Sequence, residues 1–209
     1  MDLFDEVFWE ERYRSNAAVW SGRPNPQLVA EASDLAAGAA LDVGSGEGAD
    51  ALWLASQGWQ VTAVDFSTTA LRRGAEHAGS LGADVAGRIH WVHADLTTWA
   101  PPERHFDLVS AQFMHLAEAP RQALFARLAT AVAPGGTLLI VGHHPSDRHT
   151  TMSRPSMSDM LFTAEQVGDS LDPAQWDVLV ADTRPRAVND PEGREITIHD
   201  AVLRARKRP

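Results

Sequence analysis

Short apolar segments alternate with longer amphipathic ones along the first two thirds of the chain. The amphipathic segments repeat apolar residues at helical spacing, as Leu71, Ala75 and Ala78 do. This alternation predicts an α/β fold, with a parallel sheet covered by helices on both faces. The predicted strands are Ala40–Val43, Gln60–Val64, Ile89–Val92, Phe106–Ser110 and Thr137–Gly142, and the predicted helices are Gly48–Gln57, Thr68–Leu81 and Pro120–Ala133.

The last third of the chain has a different pattern. Two further strand candidates, Trp176–Ala181 and Ile196–Leu203, are joined by the polar segment RPRAVNDPEGRE, which reads as a turn. Two strands joined in this way predict a close antiparallel pair. An α/β sheet that ends in such a hairpin is more specific than a plain Rossmann sheet.

Composition narrows the classes of partner. The 209 residues carry 18 Lys and Arg against 28 Asp and Glu, a formal net charge of −10. Such a chain is a poor match for DNA or RNA, because affinity there comes mainly from cations on phosphates. No apolar run approaches the ~20 residues that cross a membrane, and the acidic, aromatic start is no secretory signal. Without cysteine there is no disulfide framework. We expect a cytoplasmic protein with a small-molecule substrate.

The segment Ala40–Asp50, ALDVGSGEGAD, places three glycines after the first predicted strand. Their G-x-G-x-G spacing differs from the G-x-G-x-x-G dinucleotide fingerprint. Asp65 ends the next strand, where an acid accepts hydrogen bonds from ribose hydroxyls. Asp42, Glu47 and Asp50 favour a nucleoside that carries positive charge over a pyrophosphate. A dinucleotide stays open, because some sites bind phosphates through backbone amides alone.

Five motifs together resemble those of class I S-adenosylmethionine-dependent methyltransferases. In order over about residues 38–142 they are ALDVGSGEGADALWLA, VTAVDFS, HADL, FDLVSAQF and APGGTLLIV. The resemblance implies a Rossmann-like seven-stranded sheet, mostly parallel with an antiparallel terminal strand, and S-adenosylmethionine as cofactor. It divides a single domain, 1–209, into an N-terminal helical lid (1–37), a cofactor-binding core (38–142), a substrate loop (143–160) and a terminal helix with a β-hairpin (161–209).

The same resemblance assigns cofactor contacts at the carboxyl ends of the predicted strands. The glycines would let the backbone approach the ligand closely. Two assigned residues also have a simpler reading, since Phe66 could be core packing and Asp95 a helix N-cap. Near the methionine part and the sulfonium the expected contacts are Asp42, Gly44, Ser45, Gly46 and Gln112, and around the ribose and adenine they are Asp65, Phe66, Asp95 and Leu96.

The segment FWEERYRSNAAVWSGRPNPQLVAEA resembles the N-terminus of small-molecule methyltransferases of the tellurite-resistance and thiopurine type, where it covers the cofactor. An aromatic face attracts a sulfonium through cation–π interaction, so Trp20 is expected at the cofactor. Arg23 is expected to pair with the cofactor carboxylate. Trp9 and Tyr13 are expected at the substrate. A helix packed on the core and a surface Arg23 are the alternatives.

A long polar segment, residues 143–160, follows the last predicted parallel strand, at the edge where open α/β sheets bind ligands. Transfer to a hydroxyl needs a base that titrates near neutral pH, as histidine does. His143 and His144 are candidates, and only one should face the acceptor because neighbouring strand residues point oppositely. His144 is preferred, a loop-capping pair is the alternative, and His115 is another candidate. The expected substrate contacts in the segment are Arg148, His149 and Arg154.

These features predict an O-methyltransferase that acts on a small polar molecule with a histidine base. The chain is also similar to actinobacterial sugar 1-O-methyltransferases of methylmannose polysaccharide synthesis, which makes a sugar hydroxyl one acceptor to consider. The alternatives are transfer to sulfur or a metalloid, which needs no base, and an NAD-binding oxidoreductase or non-catalytic cofactor-binding protein. A divalent metal such as Mg²⁺ is not predicted, although His143, His144 and Asp147 could gather one. The N-terminal helix or the hairpin could support a homodimer.

Overall fold

The computed structural model describes residues 6–150 and 159–209, except the side chains of Arg148 and His149. No helix in those ranges has the length and apolar content that a membrane crossing requires. The strands are β1 (Ala39–Val43), β2 (Gln60–Asp65), β3 (Ile89–His93), β4 (Phe106–Gln112), β5 (Val132–His143), β6 (Trp176–Asn189) and β7 (Glu195–Lys207). The helices are α1 (Glu6–Ser15), α2 (Pro26–Ala32), α3 (Ala49–Ser56), α4 (Thr68–Leu81), α5 (Ala83–Ala86), α6 (Glu118–Ala131) and α7 (Ala164–Asp169), with a 3-10 turn at Pro145–His149.

The seven strands form one sheet in the order β3-β2-β1-β4-β5-β7-β6. The first five strands pair in parallel, and β7 is antiparallel to both β5 and β6. The predicted fold class is therefore confirmed. The chain order reverses between β1 and β4, which lie side by side, and such a switch point opens a crevice at the carboxyl ends of the strands.

The two faces of the sheet carry separate cores because successive strand residues point to opposite sides. In β1, Leu41 packs in the cluster that includes α6 and α7, whereas Ala40 packs in the cluster that includes α2 and α3. The same alternation separates Ile140 from Leu139 in β5. Both faces are covered, so the strands read as near-continuous apolar runs.

The hairpin differs from its sequence prediction. The segment expected to be a turn, 184–195, is mostly strand, because β6 continues to Asn189. The turn itself is short, and the Asp190 carboxylate closes it by accepting from the amides of Glu192 and Arg194 at 3.0 and 2.9 Å. Pro185 is tolerated since β6 pairs only with β7 among the described residues, and an edge strand can spare an N–H.

Candidate active site

Backbone conformation shapes the loop after β1. Gly44 and Gly46 have φ angles of +70° and +53°, in the left-handed region that favours glycine. The Gly44 amide donates to the Val64 carbonyl at 2.8 Å, which ties the loop to β2. A Cβ on Gly46 would lie 2.8 Å from the Tyr13 hydroxyl oxygen, and one on Gly44 would lie 2.8 Å from the Met114 sulfur. Only glycine at these two positions leaves room for the Tyr13 and Met114 side chains to pack directly on the loop.

Three buried polar atoms at this edge have no hydrogen-bond partner among the described residues. They are Asp42 Oδ2, Ser45 Oγ and Gln112 Oε1, and they lie on or directly after the neighbouring strands β1 and β4. Buried polar groups are normally paired, so these atoms fit a polar ligand. Burial, and then the charges of Asp50 and Asp65, raise the pKa of Asp42. A cationic ligand group would favour its ionised form.

Asp65 ends β2 with a buried carboxylate. Its Oδ2 accepts from the Gly46 amide at 2.9 Å and its Oδ1 from the Ser67 amide at 2.8 Å. Burial raises the pKa of Asp65, although these amide hydrogen bonds oppose the shift. The carboxylate therefore joins the glycine loop to the start of α4. Each carboxylate oxygen can accept a further hydrogen bond, as a ribose contact would require.

The residues expected around the adenine are held by local contacts. Phe66 is half-buried, and its carbonyl lies 2.8 Å from His93 Nε2. Asp95 Oδ1 accepts from the amide and hydroxyl of Thr97 at 2.8 and 2.7 Å, a turn-capping arrangement. Leu96 is buried in the core. The contact of Asp95 with an adenine amino group stays a prediction.

Two acids in or directly after the glycine loop, Glu47 and Asp50, bind protein groups. Glu47 Oε2 accepts from the Trp20 amide at 3.2 Å, and Glu47 Oε1 forms an ion pair with Arg73 at 2.8 Å. Asp50 Oδ1 accepts from the Asn25 amide at 2.6 Å. Glu47 is thus paired with a cation of the protein, whereas the charge of Asp50 still acts on Asp42, and the argument that these acids favour a cationic ligand stays a prediction. They attach the N-terminal segment to the loop.

Aromatic side chains of the N-terminal segment cover this loop. Tyr13 is 4% exposed and accepts a hydrogen bond from Trp20 Nε1 at 2.9 Å. Burial, together with the charge of Asp65, raises the pKa of Tyr13. The Trp9 ring centroid lies 6.2 Å from that of Tyr13, 5.9 Å from that of Trp20 and 5.5 Å from that of His115. The segment thus connects the glycine loop with the loop after β4. Tyr13, predicted at the substrate, lies on the glycine loop.

Arg23 lies in the same segment and is exposed. Its backbone amide donates to Ser21 Oγ at 3.3 Å, whereas no described residue accepts from its guanidinium. The anchored amides of Trp20 and Asn25 lie on either side of it. Its pairing with a cofactor carboxylate stays a prediction.

His143 and His115 lie together at the end of β4. The His143 ring centroid is 4.7 Å from that of Phe113 and 5.8 Å from that of His115, which in turn contacts Trp9. We call Trp9, Phe113, His115 and His143 the aromatic rim. Phe113 has a φ of +52°, which is uncommon for a bulky residue, and its amide donates to the Val141 carbonyl at 2.8 Å.

His144 has a different environment, consistent with the opposite orientation of neighbouring strand residues. The Ser146 amide donates to its Nδ1 at 3.2 Å, so the ring caps the 3-10 turn. The Ser146 hydroxyl lies 3.3 Å from His199 Nδ1, and the His199 amide donates to Asp147 at 3.0 Å. The preferred base candidate therefore holds its own turn, outside the aromatic rim.

The structure gives no side-chain positions for the remaining predicted substrate contacts. Arg148 and His149 belong to the 3-10 turn, and their side chains are not described. Arg154 lies outside the described residues. Within the described ranges, no group of three His, Asp or Glu side chains is placed to hold a metal ion.

A charged pair behind the aromatic rim was not predicted from sequence. The buried Asp200 carboxylate in β7 accepts from Arg186 Nε and Nη2, both at 3.0 Å, and from Gln27 Nε2 at 3.3 Å. The Arg186 guanidinium carbon lies 5.6 Å from the Phe113 ring centroid. Asp200 beside the apolar run AVL was an available signal, since a buried carboxylate needs a partner. Reading 184–195 as a turn concealed that partner.

Known proteins with similar sequences and folds agree with this geometry. Residues 40–136 match the family model of a methyltransferase domain. An uncharacterised methyltransferase of Mycobacterium tuberculosis is 41% identical over 102 residues, so the match spans about half of each protein, 48% in both cases. Thiocyanate methyltransferase 1 of Arabidopsis thaliana is 28% identical over 196 residues, 91% of this chain and 82% of the relative. The structure of TehB from Haemophilus influenzae superposes with a TM-score of 0.71 at 19% identity, covering 97% of this chain and 67% of TehB.

The sheet order, the glycine loop and the buried acids at the switch point define a class I methyltransferase fold. The matched domain, these relatives and the fold together support a class I S-adenosylmethionine-dependent methyltransferase. The cofactor of that class is S-adenosylmethionine.

Proposed function

We propose that this chain transfers a methyl group from S-adenosylmethionine to a small-molecule nucleophile. The observation that carries the proposal is the set of unpartnered, buried Asp42, Ser45 and Gln112 atoms beside a glycine loop that permits close approach. The bound cofactor would supply an electrophilic methyl on its sulfonium. Asp42 would hold the positive end, and Asp65 the ribose hydroxyls. The aromatic cover would exclude water and attract the sulfonium.

Sulfur is the first candidate acceptor atom. The aromatic rim offers rings, and the Met114 sulfur lies against Gly44 of the glycine loop; such groups suit a soft, weakly hydrated nucleophile more than a polyol. A thiolate is already nucleophilic, so the site needs no general base. Two relatives agree with this choice: thiocyanate methyltransferase 1 above, and a probable thiol methyltransferase of Arabidopsis thaliana that is 31% identical over 136 residues.

Two measurements test this proposal. Calorimetry should detect binding of S-adenosylhomocysteine and none of NADH, because the loop lacks the dinucleotide spacing. Purified protein should then methylate small thiols or hydrosulfide from labelled S-adenosylmethionine. NADH binding without S-adenosylhomocysteine binding would overturn the assignment of the donor. Binding of the donor without methyl transfer to any sulfur compound would overturn the assignment of sulfur as the acceptor atom.

A hydroxyl, including that of a sugar, is the second candidate, and the position of His143 in the aromatic rim favours it. Of the histidines, we propose His143 as base, because the His144 Nδ1 is occupied by the turn. His143→Gln should then lower turnover of a hydroxyl acceptor about 100-fold or more, while His144→Gln, its matched control, should retain most activity. Sulfur transfer should survive both changes. A full rate for His143→Gln on a hydroxyl acceptor would exclude this base.

A further inference from the structure

Phe113 is held in a conformation that it would not adopt alone. It directly follows β4, and its φ of +52° belongs to the left-handed region, which a bulky residue rarely adopts. The hydrogen bond to Val141 fixes its amide. Its ring centroid lies 4.7 Å from that of the His143 imidazole and 5.6 Å from the Arg186 guanidinium carbon. Strain of this kind persists only where the surroundings enforce it.

Arg186 is well placed to enforce it. Its Nε and Nη2 atoms each donate a hydrogen bond to the Asp200 carboxylate at 3.0 Å, and Asp200 is fully buried. A bidentate pair fixes the plane of the guanidinium as well as its position. Asp200 pairs with His143 in the register of β5 and β7, so this anchor lies beside the strand that carries the histidine. Gln27 in α2 steadies the same carboxylate.

We propose that Arg186 is a positioning residue: by stacking on Phe113 it fixes the aromatic rim, and through Phe113 it sets the orientation of the His143 ring towards the acceptor. The role rests on the proposed function, because it places the ring beside the reacting methyl. In this role Arg186 would act through Phe113 and not by contact with donor or acceptor. The β6–β7 hairpin, outside the matched methyltransferase domain at 40–136, would thereby shape the acceptor side.

Arg184 provides a matched control on the same strand. Like Arg186, it forms ion pairs with a buried acid, Glu31, and it also donates to Gln27 at 3.0 Å. The fractional exposures of the two side chains are similar, 26% for Arg184 and 32% for Arg186. Only Arg186 stacks on Phe113. Loss of either arginine should cost similar stability, and only loss of Arg186 should change the rim.

The experiment follows the imidazole resonances of His143 in two-dimensional carbon–proton NMR spectra, assigned by their disappearance in His143→Gln. The adjacent Phe113 ring shifts those resonances, so they report its position. We expect Arg186→Met to move or broaden the His143 signals and Arg184→Met to leave them unchanged. Arg186→Lys keeps the cation without the bidentate pair, so it should restore the signals only in part. S-adenosylhomocysteine affinity, measured by calorimetry, should stay within about threefold in all three variants, because the donor contacts are elsewhere.

Unchanged His143 signals in Arg186→Met would overturn the proposal, as would an equal change in Arg184→Met. If Arg186→Met does not fold because Asp200 is left unpaired, the double variant Arg186→Met/Asp200→Asn removes the buried charge and carries the same expectation. The proposed function has a separate test: it fails if the unmodified protein does not bind S-adenosylhomocysteine. With a hydroxyl acceptor, Arg186→Met should lower kcat about tenfold at an unchanged KM for the donor, whereas transfer to a sulfur acceptor should survive the change.

Discussion

The glycine loop and the aromatic rim lie at the same edge of the sheet but are built in different ways. The loop takes its shape from its own residues, through positive φ angles at Gly44 and Gly46, and hydrogen bonds from its amides to the Val64 carbonyl tie it to the adjoining β2. The rim brings together Trp9, Phe113 and His143, and Arg186 supports it from β6. One site is encoded locally, and the other exists only after distant segments have packed.

This difference separates the two halves of the function. The donor side can be shared among proteins with little similarity, because it needs only a glycine loop and a few polar residues at the ends of neighbouring strands. The acceptor side depends on the N-terminal segment, the loop after β4 and the hairpin, so it can change while the donor side stays constant. Loops on a fixed scaffold commonly carry such specificity.

Gly46→Ala should produce the largest effect. Its Cβ would meet the Tyr13 hydroxyl at a φ of +53°, so the loop or its cover must shift. We expect S-adenosylhomocysteine affinity by calorimetry to fall about 100-fold, or about 2.8 kcal/mol. Gly193→Ala is the control, since its φ is +80° with open space around the new Cβ. It should cost about 1–2 kcal/mol of stability and no affinity. Equal affinity losses would mean that local backbone strain alone explains the effect.

Glu47→Ala should come second, because it detaches the N-terminal segment from the loop. The Glu47 and Arg73 side chains are 9% and 16% exposed, and removing one partner of such a pair costs about 2–3 kcal/mol in the free energy of unfolding. Glu76 pairs with the adjacent Arg72, but both side chains are 61% exposed, so Glu76→Ala should cost at most about 0.5 kcal/mol. Urea unfolding measures both, and similar losses would contradict a special role for Glu47.

Asp50→Asn should have the smallest effect, visible in its pH dependence. Burial raises the pKa of Asp50 from 3.8 to about 6, so the fold favours its protonated form. The stabilisation from protonated Asp50 is complete below the pKa that this carboxyl has in the unfolded chain. It is lost as the pH rises from about 4 to about 6. The asparagine variant should therefore gain about 2 kcal/mol relative to the unmodified protein across this interval. A difference in stability that is flat with pH would show that Asp50 titrates normally.

The fold was predictable from sequence because its signals are local. The bounds of α4 coincide with the periodic segment Thr68–Leu81, where the Ser67 side chain caps the helix. The hairpin prediction was right in pairing and wrong in length, because alternating polar residues on an edge strand resemble a turn. The glycine loop was recognised for the same reason, since its conformation needs glycine at fixed positions.

Sequence reasoning went least far where side chains choose among distant partners. It used Glu47 and Asp50 only as negative charge near the ligand, and did not foresee that they accept hydrogen bonds from the backbone amides of Trp20 and Asn25. It could not separate His143 from His144 beyond their alternation, because the difference lies in Phe113 on one side and Ser146 on the other. Such pairings depend on the packing of the whole chain rather than on spacing within a motif.

The strand order also constrains the timing of synthesis. β6 is made before β7, yet it joins the sheet only through β7, which lies between it and β5. At about 5–20 residues per second the ribosome needs roughly 2–6 seconds to produce the segment from Trp176 to Lys207. During that interval the edge of β5 is open to wrong partners. Before β7 is made, β6 is a poor template for pairing with another chain, because it has a bulge between Val178 and Val180 and a proline at position 185.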